Sequence, residues 1–284
     1  MGLTLKEFQL FQSFIEKRCG IVIDVDRLYW LESRLRRIVE DNGLENFCSL
    51  YEQIWRPEGS ALAQRMIDAI TVNETYWFRE RAPWAVLETQ LLPQYLRQLR
   101  DGSRQRVRIW SAACSSGQEP YSVAMWIHHF LQCREATDLY RDRFEIVATD
   151  ISQAALTEAQ RGCYDVLAMN RGLDAALKKE YFGWRGQQWQ INEGIRQAVE
   201  FRSFNLQQPF DTLGSFDVIF LRYVAIYFAG STRRQLMEKM AAALVDDGVL
   251  FLGGSEVMLG YKDLFEQKSV AGGAFYRKKA DNGK

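Results

Sequence analysis

Apolar residues recur in two different patterns along the chain, and the pattern changes near residue 85. Before that point they fall three and four positions apart, which is the period of an amphipathic helix. These positions are Leu5, Phe8, Phe11, Phe14, Ile15, Leu28, Leu31, Leu35 and Ile38. The stretches "CGIVID" and "DNGL" interrupt the pattern as loops do. Residues 1–85 are therefore predicted to form an all-helical N-terminal domain.

After residue 85, apolar runs typical of strands alternate with runs at helical spacing. The predicted strands are "VRIWSA", "FEIVATD", "VEFRSFN", "FDVIFLR" and "GVLFLGG". The predicted helices between them cover residues 119–131, 153–160 and 232–244. Such alternation indicates βαβ units around a mainly parallel sheet, whose ligands bind beyond the carboxyl ends of the strands. Residues 86–284 are thus predicted to form an α/β domain, with function placed just past each strand.

The segment "YFGWRGQQWQINEGIRQAVEF" does not fit this alternation. It has the pattern of two short polar strands around a glycine turn. We predict a small inserted β-subdomain at about residues 181–202, and a surface hairpin is the default interpretation of such a segment.

The composition argues against several classes of protein. With 47% hydrophobic and 25% charged residues, the chain is typical of a soluble globular protein. Lys and Arg together number 36, as do Asp and Glu, so the net charge gives no reason to expect nucleic acid as a partner. Acidic and amide residues interrupt the apolar runs, and residues 1–20 lack the pattern of a signal peptide. We expect a cytoplasmic protein without membrane insertion.

Neither metal nor thiol chemistry is indicated. The five cysteines are scattered and form no C-x-x-C pair, which favours reduced thiols. His128 and His129, the two histidines, are adjacent in a predicted helix, so their side chains diverge. We therefore expect no metal site and no histidine-based catalytic triad.

The turn after the first strand, "SAACSSGQEP", has one glycine, Gly117, in place of the G-x-G-x-x-G of dinucleotide sites. Its small residues let a ligand approach the backbone but build no phosphate cradle, which favours a nucleoside ligand without phosphates. Asp150 ends the second strand, at the position from which an acid hydrogen-bonds ribose hydroxyls. The same residue is equally suited to be the N-cap of the following helix.

Six stretches, in this order, resemble the CheR chemotaxis receptor methyltransferases: "TVNETYWFRE", "WSAACSSGQEPYSVAM", "IVATDIS", "FRSFNL", "FDVIFLRYVAIYF" and "FLGGSE". The resemblance covers nearly the whole chain. It implies a Rossmann-like class I methyltransferase sheet, with S-adenosyl-L-methionine as cofactor and S-adenosyl-L-homocysteine as product. It also implies methyl transfer to glutamate side-chain carboxylates of chemoreceptors, giving glutamate 5-O-methyl esters for sensory adaptation. We expect a monomer whose partner is the cytoplasmic domain of a transmembrane chemoreceptor.

The resemblance further implies the site residues. Cofactor contacts are expected at Asn73, Thr75, Arg79, Glu119, Asp150, Asn205, Leu206, Arg222 and Tyr223. Arg79 and Tyr227 are implied as the catalytic residues. Arg79 suits either the carboxylate of the cofactor or the orientation of the acceptor, and without the family pattern it would be taken for a surface arginine on a helix end. Asn205 suits an adenine edge, but a loop asparagine commonly bonds its own backbone.

The sequence departs from the family pattern at two positions. Tyr223 stands where the family usually has asparagine, and Leu221 where it commonly has cysteine. A tyrosine at the first position either packs against the protein or stacks on the adenosine. Leu221 is interpreted as an ordinary apolar exchange, and Cys114 as a small residue that fills a tight turn.

Receptor recognition is predicted at a basic stripe in the second helical run. Arg27, Trp30, Arg34 and Arg37 recur at three- and four-residue steps along the edge of its apolar face. The three arginines are candidates for binding an acidic receptor helix, and a solvated basic face is an equally good interpretation. The inserted hairpin looks shorter than in family members that hold a receptor tail by strand addition, so we expect no such tether.

Two other functions are compatible with these residues. The same fold serves many acceptors, so a small-molecule carboxyl O-methyltransferase is one alternative. A cofactor-binding regulatory protein without transferase activity is the other, and Tyr223 is its main support. Dependence of methyl transfer on receptor fragments distinguishes the three hypotheses.

Overall fold

The structure is a computed structural model that describes residues 2–256, 260–270 and 273–279. Its N-terminal part is helical, as predicted, with four helices: α1 Leu5–Cys19, α2 Leu28–Asp41, α3 Phe47–Ile54 and α4 Ser60–Ile70. Helix α1 begins at a capping box, in which the Thr4 hydroxyl accepts from the Glu7 N–H and the Glu7 carboxylate accepts from the Thr4 N–H. It ends at Gly20, whose φ of 78° is the left-handed conformation that glycine adopts readily.

The helices enclose a hydrophobic core of their own. Seven of the apolar positions predicted from the helical spacing are buried in it: Phe8, Phe11, Phe14, Ile15, Leu31, Leu35 and Ile38. Leu28 is half-buried at its edge, and Leu5, which is 54% exposed, does not join it. The buried members of this core lie between Leu3 and Ile70, whereas Trp77 and Trp84 pack in the core of the following sheet.

The described residues of the remainder of the chain build two sheets from ten strands. They are β1 Val107–Ala112, β2 Phe144–Asp150, β3 Cys163–Tyr164, β4 Phe182–Arg185, β5 Gln188–Ile191, β6 Val199–Ser203, β7 Phe216–Leu221, β8 Leu244–Leu252, β9 Phe265–Val270 and β10 Gly273–Lys278. The larger sheet has seven strands in the order β6-β2-β1-β7-β8-β10-β9. Its first five strands are parallel, and β10 pairs antiparallel with both of its neighbours. The mainly parallel α/β sheet predicted from the sequence is thus present.

In the part of the chain that the structure describes, nine further α-helices connect or cover these strands. They are α5 Ala82–Val86, α6 Leu92–Arg100, α7 Gln118–Gln132, α8 Leu139–Arg143, α9 Gln153–Arg161, α10 Val166–Met169, α11 Ala175–Tyr181, α12 Glu193–Arg196 and α13 Gly230–Ala243. The two faces of the sheet bury separate clusters. Ile109 packs in the cluster that contains Tyr121 of α7, and the next residue, Trp110, packs in the cluster that contains Met240 of α13. The domain therefore has three layers, with the sheet between helices.

The predicted inserted subdomain is a small antiparallel sheet in the order β3-β5-β4. Strands β4 and β5 pair as a hairpin from Phe182 with Ile191 to Arg185 with Gln188. The third strand, β3, is only two residues long and pairs with Gln190 and Trp189 of β5. The hairpin was predicted, whereas β3 was not.

The helical domain docks beside the carboxyl edge of the large sheet. Ile21 forms an antiparallel bridge with Phe228, and the Val22 N–H donates to the Tyr227 carbonyl at 2.9 Å. Gly20 makes this approach possible, because a Cβ there would lie 2.6 Å from the Phe228 ring. The two domains thus enclose a cleft above the strand ends. None of the described helices is long and apolar enough to cross a bilayer.

Candidate active site

The cleft lies at the topological switch point of the large sheet, where the strand order reverses between β1 and β7. From β1 the chain passes to β2 and then β6 on one side, and it returns to β7 and β8 on the other. Parallel pairing puts Ala112 level with Thr149 and Ser111 level with Phe220, so the loops after these strands meet at one edge. This is the point at which open α/β sheets bind their ligands. The cleft encloses about 320 Å³, which is within the range of small-molecule sites.

Every residue that the sequence assigned to the cofactor or to catalysis lines this cleft. They are Asn73, Thr75, Arg79, Glu119, Asp150, Asn205, Leu206, Arg222, Tyr223 and Tyr227. Of the predicted receptor-binding stripe, Arg27 and Trp30 reach the lining, whereas Arg34 and Arg37 lie outside it. The helical domain also contributes Cys19, Ile21, Val22 and Ile23, which the sequence did not single out as part of a site. The structure therefore gathers residues that span 155 positions into one cavity between two domains, from Asn73 to Tyr227.

The turn after β1 is built by its backbone. Ala113 and Ser115 have φ of 62° and 51°, a conformation that is costly for residues other than glycine. Their small side chains leave the turn open toward the cleft. The Ser115 N–H donates to Asp150 Oδ2 at 2.8 Å, and the Ser115 hydroxyl donates to the Asn73 carbonyl at 3.0 Å. The turn thus joins the end of β2 to the segment that follows the helical domain.

Asp150 is held by backbone N–H groups and is not a helix cap. Its Oδ1 accepts from Ser152 at 2.8 Å and its Oδ2 from Ser115. The N-cap of α9 is Ser152, whose hydroxyl accepts from the Ala155 N–H at 3.2 Å, so the N-cap interpretation of Asp150 is wrong. Burial raises the pKa of Asp150, although the bonds from Ser152 and Ser115 act in the opposite direction. Each oxygen can still accept a further bond, as a pair of ribose hydroxyls would require.

Arg222 lies under the cleft between two carboxylates. Its side chain is 2% exposed, and it donates to Glu119 Oε2 at 3.0 Å and to Glu80 Oε2 at 2.8 Å. Glu119 in turn accepts from the Ser111 hydroxyl at 2.7 Å through its other oxygen. These partners are 103 and 142 residues away from Arg222 in the chain. Arg222 therefore fixes the floor of the cleft, and its direct contact with a cofactor stays a prediction.

Arg79 projects from the loop between α4 and α5, so the alternative of a surface arginine on a helix end is wrong. Its guanidinium carbon lies 3.7 Å from the centroid of the Tyr223 ring and 5.3 Å from that of Tyr76. Its Nη1 donates to the Glu74 carbonyl at 3.2 Å. Tyr227 is half-buried and also lines the cleft. Arg79 and Tyr227 thus line the same cavity.

Asn205 forms the local backbone bond that the alternative interpretation expected. Its Oδ1 accepts from the Gln207 N–H at 3.0 Å. Its Nδ2 donates to the Arg18 carbonyl at the end of α1, at 2.6 Å. Asn205 thus ties the loop after β6 to the helical domain, and one N–H and one lone pair remain for a ligand. Recognition of adenine by this residue stays a prediction.

Two carboxylates that hold residues of the cleft in place, Glu80 and Glu256, were not identified from the sequence. Glu80 accepts from Arg222, from the Tyr223 hydroxyl and from the Gly254 N–H at 2.9 Å. Glu256 accepts from the Tyr223 N–H at 2.6 Å and from the Gly253 N–H at 2.8 Å, and burial raises its pKa. Both occur inside stretches that carry the family resemblance, "FRE" and "GGSE". That position beside the assigned residues is the signal that could have pointed to them.

Cys114 also lines the cleft but has the properties of a packing residue. It is 1% exposed, and burial raises its pKa well above the usual range, so the reactive thiolate is disfavoured. This agrees with its interpretation as a small residue that fills a turn. All five cysteines are free thiols, as expected.

Comparison with known proteins identifies relatives along the full chain. A family model described as "CheR methyltransferase, all-alpha domain" matches residues 6–71, and one described as "CheR methyltransferase, SAM binding domain" matches residues 73–273. "Chemotaxis protein methyltransferase 1" of Pseudomonas aeruginosa is 40% identical over 282 residues, covering 98% of this chain and 100% of that protein. "Chemotaxis protein methyltransferase Cher2" of Pseudomonas putida is 38% identical over 276 residues, covering 96% and 98%.

Proposed function

The chain belongs to the CheR methyltransferase family, and we propose that it methylates glutamate side chains of chemoreceptors. The methyl group would come from S-adenosyl-L-methionine, leaving S-adenosyl-L-homocysteine and a glutamate 5-O-methyl ester. We place the reaction in the cytoplasm, with the protein acting as a monomer on the cytoplasmic domain of a transmembrane receptor. The observation that carries this proposal is the convergence of all ten assigned residues on one cleft.

The residues of the cleft suit S-adenosyl-L-methionine. Asp150 offers two carboxylate oxygens that backbone N–H groups already orient, which is the arrangement needed to bind a pair of ribose hydroxyls. The left-handed turn at Ala113 and Ser115 leaves no long side chain between the backbone and a ligand. Glu119 supplies negative charge beside that turn, where a sulfonium or an amino group would be stabilised.

The reaction needs alignment more than acid-base chemistry. When bound, the cofactor supplies an electrophilic methyl group on a positive sulfur. A glutamate with a pKa of about 4.3 is ionised at neutral pH, so no side chain has to remove a proton. Alignment of reacting groups can contribute about 7–11 kcal/mol to a rate enhancement. We assign this alignment to the Arg79 guanidinium, which offers a planar pair of donors to a carboxylate, and to the Tyr227 hydroxyl.

The receptor helix would approach along α2. Arg27 lines the cleft directly before α2, and Arg34 and Arg37 follow at steps of seven and three residues. All three are exposed, and the Arg34 guanidinium lies 5.7 Å from the Trp30 ring. Tyr29, which is 82% exposed, adds apolar surface at the start of the same helix. An acidic amphipathic helix laid on this stripe would bring its glutamates toward the cleft.

The proposal is tested with radiolabelled S-adenosyl-L-methionine and receptor-containing membranes. We expect label in the receptor that is released by mild base, as carboxyl methyl esters are. Membranes that carry a receptor with its glutamate pairs replaced by alanine are the matched control and should stay unlabelled. Label that resists base would contradict a glutamate ester. Transfer to small carboxylates without receptor would favour the small-molecule alternative, and cofactor binding without any transfer would favour a regulatory protein.

A further inference from the structure

Tyr223 replaces the asparagine that is usual in the family. Its backbone, its hydroxyl and its ring are each held by a contact. Its backbone has φ of 59°, and its N–H donates to Glu256 Oε2 at 2.6 Å. Its hydroxyl donates to Glu80 Oε1. Its ring packs against Gly253, where a Cβ would lie 2.8 Å from the ring atoms. A side chain held in this way presents its ring to the cleft in one orientation.

The ring carries the guanidinium of Arg79. The distance of 3.7 Å between the guanidinium carbon and the ring centroid is short for a cation–π pair, and the Tyr76 ring is farther away, at 5.3 Å. Within residues 2–256, 260–270 and 273–279, no carboxylate forms an ion pair with Arg79. The acid next to it in sequence, Glu80, is occupied by Tyr223 and by other donors. Arg79 is thus positioned by an uncharged surface and keeps its charge for a ligand.

The backbone around Arg79 is strained on both sides. Phe78 and Glu80 have φ of 49° and 59°, and such conformations persist only where the surroundings enforce them. The enforcing contacts are at Glu80, whose carboxylate accepts from Arg222 at 2.8 Å and from the Gly254 N–H at 2.9 Å. These donors lie on the loops after β7 and β8. Glu80 therefore fixes the main chain of Arg79 where Tyr223 fixes its side chain.

We propose that Tyr223 is a positioning residue, anchored by Glu80, that holds the Arg79 guanidinium ready to bind a carboxylate. This inference rests on the proposed function, in which that carboxylate belongs either to the acceptor glutamate or to the amino-acid end of the cofactor. The aromatic ring does the positioning, and the hydroxyl bond to Glu80 adds to an orientation that the N–H bond to Glu256 and the packing against Gly253 also hold. Tyr223→Phe should therefore preserve the arrangement, whereas Tyr223→Leu should abolish it.

The arrangement itself is tested by NMR without reference to activity. Protons of an arginine side chain stacked on an aromatic ring resonate upfield of their ordinary positions. We expect this shift for the Arg79 δ protons in the wild type and in Tyr223→Phe, and its loss in Tyr223→Leu; Arg79→Lys provides the assignment. Unshifted Arg79 protons in the wild type would overturn the proposal, whether or not the protein methylates receptors.

The consequence for function is measured as kcat/KM for receptor methylation and as Kd for S-adenosyl-L-homocysteine by calorimetry. Tyr223→Leu should lose about tenfold or more in one of the two quantities, since small misplacements of an aligning group are costly, and Tyr223→Phe should stay within about threefold. A loss in kcat/KM at unchanged Kd assigns Arg79 to the acceptor, and a matching loss in affinity assigns it to the cofactor. No loss in Tyr223→Leu, or an equal loss in Tyr223→Phe, would overturn the role of the ring.

A matched control exists outside the cleft. Arg234 lies over the Tyr261 ring at 5.9 Å, so Tyr261→Leu also removes an arginine–tyrosine pair. It should leave both quantities unchanged, and thermal unfolding of all variants checks that they are folded. A wild type that fails to methylate any receptor would refute the proposed function alone, because the NMR shift still decides the positioning role of Tyr223.

Discussion

The two sides of the cleft are held together by different kinds of contact. On the side of β1 and β2, Asp150 is fixed by the N–H groups of Ser115 and Ser152, and no cationic side chain among the described residues takes part. On the side of β7 and β8, buried ion pairs between side chains are added to such backbone bonds, with Arg222 between Glu80 and Glu119. The first side is determined by backbone conformation within short segments. The second depends on charged residues that only the folded chain brings together.

This difference predicts whether a substitution on each side of the cleft changes the stability of the protein or its binding of a ligand. A backbone-built turn keeps its hydrogen bonds when a side chain is shortened, because the donors belong to the main chain. A buried ion pair loses its compensation when one partner is removed, and the charge left behind is costly. Substitutions on the β7 side should therefore affect stability, whereas those on the β1 side should affect ligand binding more than stability.

The largest effect is expected for Arg222→Met. Its removal leaves the carboxylates of Glu80 and Glu119 without their shared partner in a buried site, which should lower the free energy of unfolding by about 3–5 kcal/mol. Urea unfolding measures this. The matched control is Arg106→Ala, whose ion pair with Glu145 is exposed and should contribute less than about 1 kcal/mol. Equal effects of the two variants would contradict the assigned difference between the sides.

The next effect concerns ligand binding on the β1 side. Asp150→Ala removes two acceptors from the position predicted for the ribose, and charged hydrogen bonds of this kind contribute about 1.5–3 kcal/mol each. We expect the Kd for S-adenosyl-L-homocysteine to rise about 100-fold in calorimetry. Asp165→Ala removes an aspartate that caps α10 outside the cleft, and it should leave the Kd unchanged. An unaltered Kd in Asp150→Ala would refute the ribose assignment.

The same contrast explains which parts of the molecule were predictable from sequence. Strands β1, β2, β7 and β8 were predicted because buried parallel strands are continuous apolar runs. The pair β9 and β10 was missed, since "FEQKSV" at the edge of the sheet is mostly polar and its pairing is antiparallel. The two-residue strand β3 is too short to leave a pattern of its own.

The residues of the site also fall into those that the sequence identified and those that it did not. Asp150 was identified because it ends a strand, and Glu119 because it lies in a stretch that carries the family resemblance. The roles of Glu80 and Glu256 depend on contacts with Tyr223, 143 and 33 residues away, and no local pattern encodes such contacts. The lining from the helical domain was missed for the same reason. Arg34 and Arg37 lie outside the cleft, so their role in receptor binding stays a prediction.

The contributions of Asp150 and Glu80 to the free energy of unfolding should change in opposite directions as the pH falls. Burial raises the pKa of Asp150 above 3.8, so its contribution is full below that value and is lost as the pH rises through the folded-state pKa. For Glu80, burial acts to raise the pKa, but bonds from Tyr223, Arg222 and Gly254 outweigh it and keep the pKa below 4.5. Its contribution is present above 4.5 and is lost as the pH falls through the folded-state pKa.

Urea unfolding of Asp150→Asn and Glu80→Gln at a series of pH values tests these opposite signs. The stability difference between the wild type and Glu80→Gln should narrow as the pH falls below 4.5. The difference between the wild type and Asp150→Asn should narrow in the other direction, as the pH rises above 3.8. Two differences that change in the same direction with pH would show that the carboxylates are not held in the contrasting ways described.

The smallest change in the free energy of unfolding is expected for Ser115→Gly. This substitution tests most directly how much the backbone conformation of the turn contributes to stability. Glycine adopts φ of 51° without strain and keeps the N–H that binds Asp150, while the bond from the hydroxyl to Asn73, worth about 1 kcal/mol, is lost. The two changes oppose each other, so stability should stay within about 1 kcal/mol of the wild type.

Ser115→Ala is the matched variant for this position, since it loses the same hydroxyl but keeps the strained φ, and it should be less stable than Ser115→Gly. Glu80→Gly makes the equivalent change across the cleft, at φ of 59°. There the side chain is the anchor for Arg222, Tyr223 and Gly254, so relief of strain cannot compensate for a loss of about 3 kcal/mol. If Glu80→Gly proved as mild as Ser115→Gly, backbone strain and not side-chain anchoring would govern the β7 side, and the contrast between the two sides would fail.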